Sequence, residues 1–384
     1  VFATRKVPKE HGEATNLSAS ERIKAEIVGR VPKPKQAIAQ IDDVFTAGDA
    51  KYEARTKLEE IAGLVGGEFS YPVLAIGVDR QEVGIDASGT SAIEQYEEKT
   101  GTKVVSIVNA IDVYNILKEG NLISDRALER LENYLRVYGT ATARNHFGKL
   151  EQKIIGRDRS VIPACDVENL EQFEKLVKQT ADVDGIGGYK IGFELGLGYS
   201  LSKVVETARK YTDKPLIYDH QKAGTDIPDT GKNFARVMKK SGIDTIILFP
   251  QAGPETERAW IYHALDNGLK VIVGGRMTHP AYAVSEGGFI TDEGALDMYK
   301  IAARAGVNNF VVPGNKPDII KQVRDAVEVE GVLPVFYAPG FIAQGGKIEA
   351  AAKVAGNYFH GIVGRGIHQA KDMHVAAVEH TSQL

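Results

Sequence analysis

Cysteine is nearly missing from this chain. Cys165 is the single one among 384 residues, so no intramolecular disulfide can form and the usage fits a reducing compartment. Long hydrophobic runs are missing as well. No apolar stretch approaches the roughly 20 residues of a membrane-spanning helix, and no signal peptide is visible. Charge of one sign is not in excess either. Lys and Arg number 47 against 51 Asp and Glu, a net charge of −4, with no basic block long enough for a nucleic-acid tail. These absences predict a cytoplasmic protein whose partners include neither nucleic acid nor membrane. They leave room for a phosphorylated small molecule, which needs only one or two local cations. The chain starts at Val1 rather than Met, inside what reads as a motif, and is expected to be a fragment or a processed product.

What is present is the composition of an ordinary globular protein, 43% hydrophobic and 26% charged. From residue 158 onward, apolar β-rich runs alternate with helical patterns. The runs are Val161–Asp166, Tyr189–Phe193, Leu216–Asp219, Thr245–Leu248, Val271–Gly274, Phe310–Pro313, Val335–Ala338 and Gly361–Gly364. Eight such units predict an α/β fold with a closed (β/α)8 barrel over residues 156–384, whose doubly buried strands read as continuous apolar runs. An open doubly wound sheet is the alternative, with similar alternation. The first half differs. Ala37–Val44, Val73–Val78 and Val104–Val108 read as strands, with a helix over Lys51–Val65. This predicts a partial parallel-sheet α/β domain over residues 1–115. Residues 116–155, charged and helically periodic, read as a helical connector.

The polar chemistry of the second half gathers at the C-terminal ends of the predicted strands, where barrel active sites are built. Asp166 ends the first strand, Lys190 lies in the second, and Asp219, Lys222 and Asp226 follow the third. Lys222 stands three residues after one carboxylate and four before another, and two nearby anions favour its ammonium form. Such an amine is a poor nucleophile and a poor base. It suits the stabilisation of developing negative charge, followed by proton donation. Any single pair here reads well as a structural ion pair; five charges at three successive strand ends argue for a site. Thr278 in RMTHP offers a hydroxyl after the fifth strand. The glycine-rich YAPGFIAQGG after the seventh and Arg365 in VGRGI after the eighth have the form of a barrel phosphate site. His220, His279 and His368 show no metal-ligand spacing, so no metal is expected in the barrel.

These pieces stand in the order found in the orotidine 5′-phosphate decarboxylases. PACDV, YKIG, the Asp/Lys/Asp cluster followed by IPDT, MTHP, PGFIAQGG and VGRGI together resemble that family from Val161 onward. One spacing differs. The family has Asp-x-Lys-x-x-Asp, and here it is Asp219-x-x-Lys222-x-x-x-Asp226. The resemblance implies cofactor-independent decarboxylation of a nucleotide substrate, orotidine 5′-phosphate, to uridine 5′-phosphate in a homodimer with shared active sites. It implies that Asp219 and Asp226 flank a catalytic Lys222, that Lys190 ties this network to the ribose, and that Asp166 binds ribose hydroxyls. Asp226, Ile227 and Thr230 are expected to reach the site of a second subunit. Thr278 reads the pyrimidine edge, while Gln344, Gly364 and Arg365 hold the 5′-phosphate, with Pro339 and Gly345 beside the substrate. The chemistry agrees. Losing CO2 from C6 of a pyrimidine leaves a carbanion with no adjacent carbonyl, and no cofactor motif offers an electron sink. A fixed ammonium beside the developing anion is the means left, with phosphate and ribose contacts supplying remote binding energy.

The first half carries a second resemblance. IDDVFTAGDAK puts Asp42 and Asp43 before a Thr46-Ala-Gly48 turn, which resembles the phosphoribosyl-diphosphate loop of phosphoribosyltransferases. Arg5, Lys6, Lys9 and His11 in TRKVPKEHGE resemble the mobile loop of orotate phosphoribosyltransferase, and Arg80 in VDRQEVG resembles its orotate-contacting segment. The resemblance implies diphosphate binding at these residues, with Mg2+ as cofactor if that part is active. Asp49 stands where the family has Thr or Ser, and much of that fold is missing, so the module is expected to be truncated. The two together resemble the uridine 5′-monophosphate synthase fusion. The competing readings are a metal-dependent sugar-phosphate decarboxylase or synthase on a sister barrel, a Schiff-base aldolase, which needs a lysine of lowered pKa, and a non-catalytic nucleotide-binding module.

Overall fold

The computed structural model of the chain describes residues 2–4, 27–46, 49–86, 88–148, 152–220, 223–341 and 347–384. The chain divides into two compact units, one formed by residues 1–128 and 139–146, the other by 129–138 and 147–384.

In the first unit, β1 (Phe2–Thr4) pairs antiparallel with β2 (Ile27–Gly29). Strands β3 (Ala37–Phe45), β4 (Ser70–Asp79) and β5 (Lys103–Asn109) form a parallel sheet in that order. Parallel neighbours need crossovers, supplied here by helices Asp49–Leu64 and Ala92–Thr100. The second of these starts on a reciprocal cap: Ser91 accepts from the Glu94 N–H while Glu94 accepts from the Ser91 N–H. Phe45, Leu74, Ile76, Tyr96 and Val104 are the buried core beneath the sheet. Asp42 and Asp43 lie near the end of β3, within the expected strand. Pairing with β4 runs on through Val44 to Phe45, because the buried Phe45 anchors the strand's end in that core.

The second unit is built on β6 (Arg159–Cys165), β7 (Tyr189–Ile191), β8 (Leu216–Asp219), β9 (Thr245–Leu248), β10 (Lys270–Gly274), β11 (Asn309–Val311), β12 (Val335–Ala338) and β13 (Phe359–Val363). Every neighbouring pair is parallel, and β13 pairs with β6 to close the ring. The open sheet is thereby set aside. Side-chain alternation explains both faces of the ring. Ile162, Ala164, Ile217, Ile247, Ile272, Tyr337 and Ile362 meet inside the barrel. Val161, Cys165, Tyr189, Ile191, Leu216 and Tyr218 face outward into the layer of helices. Lys190, between outward Tyr189 and Ile191, therefore points inward, and so does Asp219 after outward Tyr218.

Some boundaries moved for local reasons. Strand β7 stops at Ile191 because Gly192 is the N-cap of helix Phe193–Tyr199. Strand β13 starts before the expected Gly361, since His360 is buried with its Nδ1 2.7 Å from Ser160 Oγ on β6. The stretch expected as a connector carries helices Asp125–Tyr138 and Ala141–Phe147, but its end has another task. Ile154 and Ile155 are buried among the barrel's inward side chains. Gln152 Oε1 accepts from Val271 N at 2.9 Å, and Asn309 Nδ2 donates to Gln152 O at 2.9 Å. These residues close the barrel's floor.

Candidate active site

A cavity of about 420 Å3 opens at the C-terminal ends of the barrel strands. Its apolar base is Ala164, Ile247, Val311 and Ile362, the last inward side chains of their strands. Its polar wall is Asp166, Lys190 and Asp219, with Thr278 across from them. Pro339, Gly364 and Arg365 complete the rim after β12 and β13. The structure thus brings together seven residues singled out in the sequence.

Lys190 is the hub. Its amine lies 3.2 Å from Asp166 Oδ1 and 3.0 Å from Asp219 Oδ2. Burial works against its positive charge, but Asp219 and then Asp166 outweigh it and hold the amine well above the usual lysine range. Lys190 is therefore a fixed cation and no base. Asp219 uses one oxygen on Lys190; its Oδ1 is buried and has no hydrogen-bond partner among the described residues. A buried carboxylate oxygen left so costs stability, on the order of 1–3 kcal/mol or more. The arrangement reserves a place for one more donor.

Gly192 explains the glycine of YKIG. A Cβ there would lie 2.8 Å from Asp166 Oδ1, on the oxygen that Lys190 holds. His368, on the short helix Arg365–His368, also lines the cavity. Burial lowers its pKa first, Asp166 pulls it up, and Arg365 pulls it down again. Sequence reasoning had placed this histidine near a strand end without giving it a role. Phe249 was missed altogether, although it lines the cavity, because a single aromatic after a strand carries no motif, and Phe341, inside YAPGFIAQGG, was given no role of its own.

Ala223 N donates to His220 O at 2.7 Å, and Phe249 N donates to Ala223 O at 2.9 Å. The IPDT segment is then fastened to helix Pro254–Asp266. Thr256 Oγ1 donates to Asp226 O at 2.9 Å and Trp260 Nε1 to Ile227 O at 3.1 Å. Thr230 Oγ1 donates to Ile227 O at 2.8 Å. Asp226, Ile227 and Thr230 are not among the residues lining this cavity, and Ile227 is 60% exposed.

Lys222, Gln344 and Gly345 lie outside the described residues, as do Arg5, Lys6, Lys9, His11 and Gly48. In the first unit, Asp42 Oδ2 lies 2.5 Å from Lys51 Nζ. Burial opposes the charge of Asp42, but Lys51 and the Asp43 N–H outweigh it and lower its pKa. Asp43 Oδ1 accepts from its neighbour's backbone, Val44 N, at 2.8 Å. Thr46 is partly buried after β3, and Arg80 pairs with Glu82 at 2.7 Å. Among the described residues, no three His, Cys, Asp or Glu side chains converge as a metal site would require, and no helix is long and apolar enough to cross a membrane.

Comparison with known proteins bears on the second unit. Residues 159–380 match the family described as Orotidine 5'-phosphate decarboxylase / HUMPS family. The orotidine 5'-phosphate decarboxylase of Methanosarcina mazei is 30% identical over 229 residues, which covers 59% of this chain and 96% of that protein. That of Methanocaldococcus jannaschii is 30% identical over 222 residues, covering 58% and 96%. A crystal structure of the M. jannaschii enzyme complexed with the inhibitor BMP aligns with a TM-score of 0.52 and 26% identity, over 59% of this chain and 99% of that one.

Proposed function

This chain belongs to the orotidine 5′-phosphate decarboxylase / HUMPS family, and on that footing we propose that it converts orotidine 5′-phosphate to uridine 5′-phosphate without a cofactor. The observation that carries the reading is the Asp166–Lys190–Asp219 network, centred on the buried Lys190, with one buried oxygen of Asp219 left for a further cation. Lys222, three residues after Asp219, supplies that cation. Its ammonium faces C6, stabilises the carbanion as CO2 leaves, and then gives C6 its proton. Asp219 and Asp226 keep the amine charged. Asp166 and Lys190 hold the ribose, Thr278 meets the pyrimidine edge, and Gln344, Gly364 and Arg365 hold the 5′-phosphate. Binding energy from phosphate and ribose, far from the reacting carbon, is thus available to lower the barrier.

The exposed Ile227, braced by Trp260 and Thr230, supports a homodimer in which Asp226, Ile227 and Thr230 enter a second subunit's cavity. A single free cysteine, Cys165, suits a cytoplasmic setting. The test of the activity is turnover of orotidine 5′-phosphate by the full chain in EDTA, beside hexulose and ketogulonate phosphates with and without divalent metal. Metal-independent turnover of the nucleotide alone supports the reading. Turnover of a sugar phosphate that EDTA abolishes would replace it with the metal-dependent alternative.

For the first unit we infer a truncated orotate phosphoribosyltransferase module. The parallel β3–β4–β5 sheet with Asp42 and Asp43 at one strand supports it. Lys51 already occupies Asp42, so a diphosphate ribose must engage Asp43 or displace that pair, and Mg2+ enters only with such a ligand. Calorimetric titration of phosphoribosyl diphosphate and Mg2+ into the full chain tests this. Binding that Asp43→Ala abolishes supports the module, and no heat at millimolar ligand contradicts it.

A further inference from the structure

His368 lines the cavity, and no role assigned so far uses its imidazole. Its place follows from the local fold. After β13 the chain turns at Gly364 into the short helix Arg365–His368, which Ile367 anchors with a fully buried side chain. Ile367 N and His368 N both donate to Gly364 O, at 2.9 and 3.1 Å. Arg365 and His368 stand three residues apart, so they share one face of that turn. Both line the cavity.

The space over Gly364 is bordered by two polar groups. A Cβ built on Gly364 would lie 3.9 Å from His368 Nε2 and 4.0 Å from Asp166 Oδ2. Asp166 gives its other oxygen to Lys190, so Oδ2 is the one that borders this space. Burial disfavours a charge on the imidazole most, Asp166 at the end of β6 favours it, and Arg365 on its own helix disfavours it. The balance lowers the ring's pKa and keeps it neutral at pH 7. Among the described residues, no hydrogen bond engages the ring. Lys190 lies beyond Asp166, and His380 on helix Met373–Thr381 meets the backbone at Gly366, its own pKa lowered chiefly by burial.

We propose that His368 is a phosphate-binding residue whose imidazole takes a proton from solvent as the 5′-phosphate of a nucleotide settles beside Arg365. The inference rests on the reading of Arg365 as a phosphate ligand and goes beyond it by adding a second cation that exists only in the complex. A phosphate dianion brings negative charge to a ring that Asp166 already favours charging. Neutral in the free chain, the ring meets no repulsion from Arg365. Charged in the complex, it donates a charge-assisted hydrogen bond to the phosphate. Uridine lacks the phosphate and gives the ring no reason to charge.

The experiment is calorimetric titration of the full chain with uridine 5′-phosphate, and separately with uridine, at about pH 7.5 in buffers of low and high ionisation enthalpy. At that pH the ligand's phosphate, with a second pKa of about 6, is already dianionic, so a buffer-dependent heat reports on the protein. Wild type should take up roughly half a proton per nucleotide and none with uridine, and its affinity for the nucleotide should fall roughly threefold from pH 7 to pH 8. His368→Asn can hydrogen-bond but cannot charge. It should bind the nucleotide roughly three- to tenfold more weakly, with no uptake and no such fall. If that variant does not fold by circular dichroism, His368→Gln carries the same test. No uptake by wild type, or uptake that persists in the variant, overturns the assignment. Uridine 5′-phosphate that binds no more tightly than uridine removes the phosphate reading and this inference together; tighter binding without proton exchange removes the inference alone.

Discussion

Lys190 and Asp219 meet 3.0 Å apart, their side chains only 10% and 9% exposed, and the carboxylate's other oxygen is unmatched among the described residues. The pair is half of a charge arrangement, and its completion by a second cation is what the proposed chemistry requires. Removing Lys190 leaves Asp219 buried without compensation. Lys190→Met is expected to cost about 3–5 kcal/mol of stability, the usual result of breaking a buried pair, and to abolish turnover. Denaturant unfolding of the two proteins measures it.

The same pair has a signature in alkali. The folded-state pKa of Lys190 is raised, with Asp219 and Asp166 overcoming burial. Its contribution to stability is therefore full below the unfolded lysine value of about 10.4 and is lost as pH rises through the higher folded value. The stability gap between wild type and Lys190→Met should stay level from neutral pH to about pH 9 and narrow only above pH 10. A gap that closes near neutrality contradicts the assigned charge.

At the barrel's closed end, His360 gives the opposite limb. Burial, then Arg157, lower its pKa to about 3 from an ordinary value of 6.5. The depressed folded value means stability is fully present above pH 6.5 and is lost as pH falls towards 3. Between those limits the unfolded chain binds a proton that the fold refuses, worth about 1.4 kcal/mol per pH unit. Unfolding curves from pH 7 to pH 4 should show a slope of that size, absent in His360→Phe.

Much of this was legible in the residues, and the exceptions have physical causes. The runs at Leu216–Asp219, Thr245–Leu248 and Val335–Ala338 coincide with β8, β9 and β12, since doubly buried strands leave unbroken apolar stretches. The start of β13 was hidden because a buried histidine satisfied by Ser160 looks polar in sequence. Asp42 and Asp43 fall near the end of β3 as the expected strand had them, since an edge strand with one open face accommodates acids. The charges at positions 166, 190 and 219 were found because strand alternation forces them to one face. The floor made by Gln152 to Ile155 depends on tertiary geometry that no local pattern announces.

Gly192 provides a test that needs no charge change. Its Cβ position lies 2.8 Å from Asp166 Oδ1, so Gly192→Ala should push Asp166 away from Lys190. Turnover should fall by roughly 10²-fold, while unfolding shifts by only about 1 kcal/mol. Wild-type kinetics in that variant would show that Asp166 need not sit where it does.

Shared active sites predict complementation between subunits. If Asp226 serves the neighbouring cavity, Lys222→Ala and Asp226→Ala homodimers are each inactive, and unfolding and refolding the two together should recover a fraction of the activity. The mixed dimer has one site with both residues intact. No recovery, with dimers confirmed by light scattering, places Asp226 in its own subunit's cavity or outside catalysis.

The most direct measurement is single-turnover decarboxylation of orotidine 5′-phosphate by wild type and Lys222→Ala, beside titration of both with uridine 5′-phosphate. The account predicts that the variant binds the product nucleotide within about tenfold of wild type, its phosphate and ribose contacts being intact, while turnover falls by several orders of magnitude. Turnover near the wild-type rate in Lys222→Ala would contradict the assignment of the reaction's proton and charge to that amine.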